Sequence, residues 1–115
     1  NGFYFITKWP LSLKPFYIQP DEDAKYSKGF DFMYNEVEMT SGGQRVHNVD
    51  LLKKRLKEQG LEPDGFNHYL DPFRYGMPPH AGWGLGLDRL TMIFSGAKNV
   101  RECVLFPRDR NRLTP

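Results

Sequence analysis

Two acids, a serine and two arginines carry most of the chemistry that this chain offers. Glu38, Ser41 and Arg45 stand together in Glu38-Met39-Thr40-Ser41-Gly42-Gly43-Gln44-Arg45, and Asp31 lies upstream of them. Paired carboxylates on an oxygen-rich, partly hydrated site are what a magnesium–phosphate complex requires. Arg45 adds a planar fork that can receive an anionic group. The plainer reading puts Asp31 and Glu38 on the solvent face of an antiparallel sheet and leaves Arg45 in a surface turn. The second arginine, Arg89, closes the run Gly82-Trp83-Gly84-Leu85-Gly86-Leu87-Asp88-Arg89, in which glycine alternates with large apolar residues. That period describes a strand with one face stripped of side chains, where a flat ligand can touch backbone. Its plainer counterpart is a packing device for close strand approach.

Two phosphate-binding patterns fail on this run. A dinucleotide fingerprint starting at Gly84 needs glycine where Arg89 stands, and a phosphate loop needs glycine and lysine followed by serine or threonine. A guanidinium fixed at the end of a glycine strand can instead stack on a purine face while reaching toward phosphate oxygens. His80 sits in a proline-fixed loop at the rim of the slot and is read as a positioning residue. His47 and His68 lack metal-ligand spacing, so no zinc site is expected.

Strands are expected near residues 3–9, 15–19, 30–40, 42–47 and 82–87, with a hairpin or bulged bend at Asn35-Glu36. Helices are expected near 48–59, 65–75 and 88–95. Asn48 caps the first, Val49, Leu52 and Leu56 form its inner face, Lys53, Lys54, Arg55 and Lys57 lie largely outside, and Gly60 stops it. Asp64 opens the second, which carries Phe66, Tyr69, Leu70 and Phe73 and which Pro72 should kink or end. Leu87, Leu90, Thr91 and Phe94 recur at helical spacing, implying a buried helix that Gly96 ends. The fold class is α+β, an antiparallel sheet flanked by helices.

With 115 residues, 39% of them hydrophobic, the chain can build one small domain around a single core. A net charge of +2 neither demands nor excludes a nucleic-acid partner. The lone Cys103 cannot form an internal disulfide and reads as a buried thiol in a reducing, cytoplasmic compartment. No apolar run of about 18 residues marks a membrane span, and no signal-like segment opens the chain. It starts at Asn1 and runs at once into β-prone Phe3-Tyr4-Phe5-Ile6-Thr7, as a cut through a larger protein would.

Residues 81–94 resemble motif 3 of the class II aminoacyl-tRNA synthetases, with Asp88 in place of the third glycine, a variant of the subgroup that activates aspartate, asparagine and lysine. Glu38 to Arg45 closely resembles the E-x-x-S-G-x-Q-R segment of aspartyl-tRNA synthetases. Between them lies the R-Y-G-x-P-P-H loop, Arg74 to His80, and the closing F-P-R-D-R-N-R-L-T-P resembles the C-terminus of archaeal and eukaryotic-type members. Asparaginyl enzymes are the near relatives, and their loop and tail usually depart from P-P-H and F-P-R-D.

The resemblance implies that ATP and aspartate give aspartyl-adenylate and that tRNA then takes the aspartyl group. It implies that Glu38 holds ATP-bound Mg2+, that Asp31 matches a second acidic position, and that Ser41 lies beside metal and amino acid. Arg45 would pair with the aspartate side chain, and Arg89 with the backbone of Gly86, Leu87 and Asp88 would hold ATP. The family's motif 1, motif 2 and anticodon-binding domain have no counterpart in these residues. Residues 1–115 are therefore expected to be the C-terminal portion of a catalytic domain, inactive alone, of a protein that is homodimeric at full length. The missing half would leave a sheet edge or face uncovered, so the isolated chain is expected to aggregate or dimerise. Two alternatives stand beside this reading: an asparaginyl-tRNA synthetase or asparagine-synthetase-like paralogue, and a non-catalytic RNA-binding or dimerisation module.

Overall fold

Asn35 and Glu36 turn the chain between two strands, β2 (Gly29–Tyr34) and β3 (Val37–Gln44), and Asn35 takes the positive φ of 51° that the tight connection needs. Its side chain accepts a hydrogen bond from the Gly2 amide at 2.8 Å, which ties the start of β1 (Phe3–Thr7) to the same turn. The computed structural model describes residues 2–114. With β4 (Ala81–Leu85) these strands form one antiparallel sheet in the order β1-β2-β3-β4. Three helices accompany it, α1 (Val49–Glu58), α2 (Asn67–Arg74) and α3 (Leu87–Ser95). None of the helices among the described residues is long and apolar enough to cross a membrane.

One irregularity decides which side chains meet. Phe32 lies opposite Thr40 while Met33 lies opposite Glu38, so Met39 is an extra residue on β3. Such a bulge shifts the alternation by one place. Glu38 and Ser41, which would face opposite ways on a regular strand, sit across from Met33 and Asp31 and so share a face. Ser41 also lies opposite Gly84 and Gly43 opposite Gly82, which puts the bare side of β4 on that face. The other face is apolar. Phe5, Phe30, Phe32, Thr40, Trp83 and Leu85 surround a depression of about 320 Å³ there, with Phe5 and Trp83 each 63% exposed.

The packed core lies beside the sheet. Val46, just beyond β3, meets Leu52 and Leu56 of α1 and Leu70 and Phe73 of α2. The Asn48 side chain accepts from the Leu51 amide at 2.9 Å and caps α1, and Gly60, at φ 72°, follows its end. α2 ends two residues after Pro72.

Several expectations need correction. Residues 15–19 form no strand: Pro15 and Pro20 bracket them, the Ile18 amide turns back to Pro15 O, and a single bridge pairs Ile18 with Arg45. The strand expected to reach residue 9 stops at Thr7, where Lys8 adopts φ 56°. The strand expected at 42–47 is the end of β3, which stops at Gln44, whereas the bend expected at Asn35-Glu36 is present between β2 and β3. Arg55 is 5% exposed rather than outside α1, its guanidinium donating to Glu58 at 2.7 Å and to Leu11 O at 3.2 Å. α3 has no buried residue, and Phe94 is 83% exposed, because among the described residues little beyond the start of β3 and the 3-10 turn Val100–Cys103 packs against it. Cys103, on that turn, is half-buried.

Candidate functional site

On the face made by the bulge, two acids are already matched with cations. Arg89 Nη1 lies 3.2 Å from Glu38 Oε1 and also donates to the Glu38 carbonyl, with both side chains nearly half exposed. Lys14 Nζ lies 3.0 and 3.1 Å from the two oxygens of Asp31 in a pair almost shut off from solvent. Lys14 also stands over the Trp9 ring, 4.9 Å from its centroid. Asp31 and Glu38 thus share a face as expected, but Asp31 is spent on Lys14 while Glu38 looks outward.

Arg45 differs from both. Among the described residues it has no carboxylate partner. Its guanidinium carbon lies 4.4 Å from the Tyr17 ring centroid, a cation–π contact. Burial pushes the neighbouring Tyr69 phenol above its ordinary value despite the opposing pull of Arg45, so at neutral pH it brings no negative charge. The Arg45 amide donates to His80 O at 2.9 Å, while Nδ1 of the His80 ring lies 2.9 Å from Pro78 O. Arg45, Ser41, Lys14, Tyr17 and Gly84 line a cavity of about 310 Å³.

The three alternating glycines do different things. A Cβ on Gly82 would stand 3.3 Å from Arg45 Nε and Nη2, and one on Gly86 would stand 3.3 Å from Arg89 Cδ. Each of these makes room for an arginine. A Cβ on Gly84 would meet nothing within 4 Å, so Gly84 is the open floor of the slot. Gly86 precedes α3, placing Leu87 and Asp88 in its first turn, where backbone amides without intrahelical partners suit an anion.

Among the described residues no group of three or more His, Cys, Asp and Glu is placed to hold a metal unaided. A carboxylate facing outward beside a hydroxyl nevertheless fits magnesium arriving on a nucleotide, which takes one or two carboxylates and completes its shell with phosphate and water. Lys14 and Tyr17 were missed in the sequence. Lys14 belongs to a connection without periodicity, and Tyr17 lies in a run whose composition reads as strand.

The profile of the tRNA synthetases class II (D, K and N) matches residues 1–110. The chain belongs to this family. It is 59% identical over 116 aligned positions to an aspartate–tRNA(Asp/Asn) ligase of Methanocaldococcus jannaschii and 60% identical to that of Methanothermobacter thermautotrophicus. In each case the whole chain aligns to 26% of the relative, so this synthetase chain spans about a quarter of their length. Among solved structures, an aspartyl-tRNA synthetase of Entamoeba histolytica superposes with a TM-score of 0.92 at 45% identity, covering 98% of this chain and 24% of the other. The asparaginyl-tRNA synthetase of Pyrococcus horikoshii gives 0.93 at 35% identity, covering 98% and 28%. The antiparallel sheet with its helices is thus the class II synthetase fold.

Proposed function

We propose that the chain is the C-terminal portion of the catalytic domain of an aspartate–tRNA ligase, supplying its aspartate pocket and part of its ATP site. Arg45 carries the reading: among the described residues it is a cation without an acid, lining a cavity beside the Ser41 hydroxyl. Such a guanidinium suits a planar carboxylate that accepts two parallel hydrogen bonds. Relatives named as aspartate–tRNA(Asp/Asn) ligases support the same choice of substrate.

In this reading the α-carboxylate of aspartate attacks the α-phosphate of ATP, forming aspartyl-adenylate and releasing pyrophosphate. A terminal ribose hydroxyl of tRNA then takes the aspartyl group and AMP leaves. Both nucleophiles belong to substrates, so the protein aligns groups and compensates charge. Arg45 and Ser41 hold aspartate. Arg89, once turned from Glu38, holds the nucleotide with the Gly86-Leu87-Asp88 backbone over the open floor at Gly84. Bound magnesium would offset phosphate charge, with Glu38 as its outward carboxylate, Ser41 beside it and Asp31 available only when Lys14 gives way. The complete protein would work as a cytoplasmic homodimer, with tRNA selected outside these residues.

The test is aspartate-dependent ATP–pyrophosphate exchange by the complete protein. Arg45→Ala is expected to raise the KM for aspartate and to lower kcat/KM by roughly 100-fold, about 3 kcal/mol. Unchanged aspartate kinetics would remove Arg45 from the pocket.

A further inference from the structure

The Arg45 guanidinium is held on one flat face and along one edge. Tyr17 covers the face, with its ring centroid 4.4 Å from the guanidinium carbon. Gly82 abuts the Nε–Nη2 edge, since a Cβ there would stand 3.3 Å from both nitrogens and 3.8 Å from Cζ. We propose that Tyr17 and Gly82 form a clamp that orients the Arg45 fork and thereby sets the preference for a carboxylate over a carboxamide side chain. This rests on the reading of Arg45 as the receptor of the aspartate side chain.

Main-chain bonds fix both jaws to the arginine they hold. The Val46 amide donates to Tyr17 O at 2.9 Å, and Ile18 bridges to Arg45, so the segment carrying the ring is bound to the residues on either side of the arginine's own amide. On the other side Gly43 pairs with Gly82 in the β3–β4 ladder, and the Arg45 amide donates to His80 O. Phe16 meets the Tyr17 ring edge-on at 5.3 Å between centroids and backs it against the helical core.

A guanidinium stacked on Tyr17 and abutted along one edge by Gly82 acts through its remaining edge, which carries only donors. A carboxylate lying in that plane accepts two bonds. A carboxamide in the same place turns an NH2 donor toward an N–H donor and leaves one bond unmade, so a fixed plane penalises the amide more than a mobile one does. Neither Tyr17 nor Gly82 needs to touch the substrate. Both are positioning residues, and loosening either should blur the choice of amino acid without disturbing the nucleotide.

The experiment uses the complete protein and measures KM for aspartate, KM for ATP and inhibition by asparagine in pyrophosphate exchange, with thermal melting alongside. Tyr17→Leu is expected to raise the aspartate KM roughly tenfold, the scale of one desolvated cation–π contact, and to narrow the preference for aspartate over asparagine. The ATP KM should stay within about twofold, because the nucleotide meets Arg89 rather than Arg45. Tyr17→Phe keeps the ring and should restore the unmodified behaviour. Gly82→Ala pushes the fork out of line and should reproduce Tyr17→Leu without removing an aromatic side chain. Unchanged aspartate KM in both Tyr17→Leu and Gly82→Ala, or aspartate and ATP KM rising together, would overturn the clamp. If Arg45→Ala itself leaves aspartate binding intact, the carboxylate reading fails and the clamp with it.

Discussion

Lys14 Nζ sits 3.0 Å from Asp31 Oδ1, and the two side chains are only 12% and 6% exposed. Removing one partner strands the other charge out of water. Lys14→Met is therefore expected to cost about 3–5 kcal/mol of stability, whereas Lys14→Met combined with Asp31→Val should recover most of that loss. Urea denaturation of the three proteins measures it. A single variant as stable as the parent would mean that Asp31 finds water or another partner.

The Arg89–Glu38 pair, by contrast, is nearly half exposed on both sides. Exposed pairs contribute about 0–1 kcal/mol, so Arg89→Ala should leave the melting temperature almost where it was. Its expected effect is on the nucleotide: ATP·Mg binding, followed by calorimetry on the complete protein, should weaken at least tenfold. Loss of stability without loss of ATP affinity would make Arg89 a structural tie.

Two glycines on neighbouring strands should respond in opposite ways to the same substitution. Gly84→Ala places its methyl in open space within an extended strand and is expected to keep or raise stability by about 0.5 kcal/mol while lowering ATP affinity. Gly42→Ala would bring a methyl to 2.6 Å from Gly82 O and 2.8 Å from Trp83 Cα, which requires β3 and β4 to separate. It should destabilise by about 2 kcal/mol or more. Guanidinium melts of both variants decide whether sheet packing or ligand access governs each position.

Tyr69 supplies a pH dependence. Its folded-state value lies above the unfolded one through burial, so below the ordinary tyrosine range both states keep the proton and nothing is lost. As pH rises through about 10 the unfolded chain releases its proton first, and stability falls until the folded phenol also titrates. Tyr69→Phe should lessen the fall in melting temperature between about pH 9 and 11. An identical alkaline profile would show that the ring is not buried in solution.

Legibility followed locality. The first helix could be read because its cap at Asn48 and its stripe at Leu52 and Leu56 are separated by only a turn or two, and the structure repeats both. The glycine alternation could be read for the same reason, although β4 stops at Leu85, Gly86 already belongs to the start of α3, and of the three glycines Gly84 alone stays open. Arg55 could not, because a charged head on a helix reads as an outward side chain. Its stem packs inward, and the acceptor it reaches, Leu11 O, is 44 residues away. The strand expected at 15–19 rested on the aromatic and β-branched composition of Phe16, Tyr17 and Ile18, whereas the proline at each end decides their fate. The apolar stripe of α3 was visible, but burial depends on a partner surface that no periodicity records. In the site, the division of labour among Lys14, Arg45 and Arg89 depends on which acid each one meets across the sheet, and only the folded register supplies that.

Met39 makes the local path of β3 matter more than the number of its residues. Many apolar side chains would fill the buried place it occupies, so substitution there is a local matter of fit. Deleting it closes the bulge and leaves Glu38 and Ser41 two residues apart, still across from Met33 and Asp31. Straightening β3 with Met39 kept would instead turn Glu38 toward Phe32 and Trp83 and leave the Ser41 side without its outward carboxylate. The acid and the serine thus keep company with the kink, or with one residue fewer, and part only on a straight strand of this length.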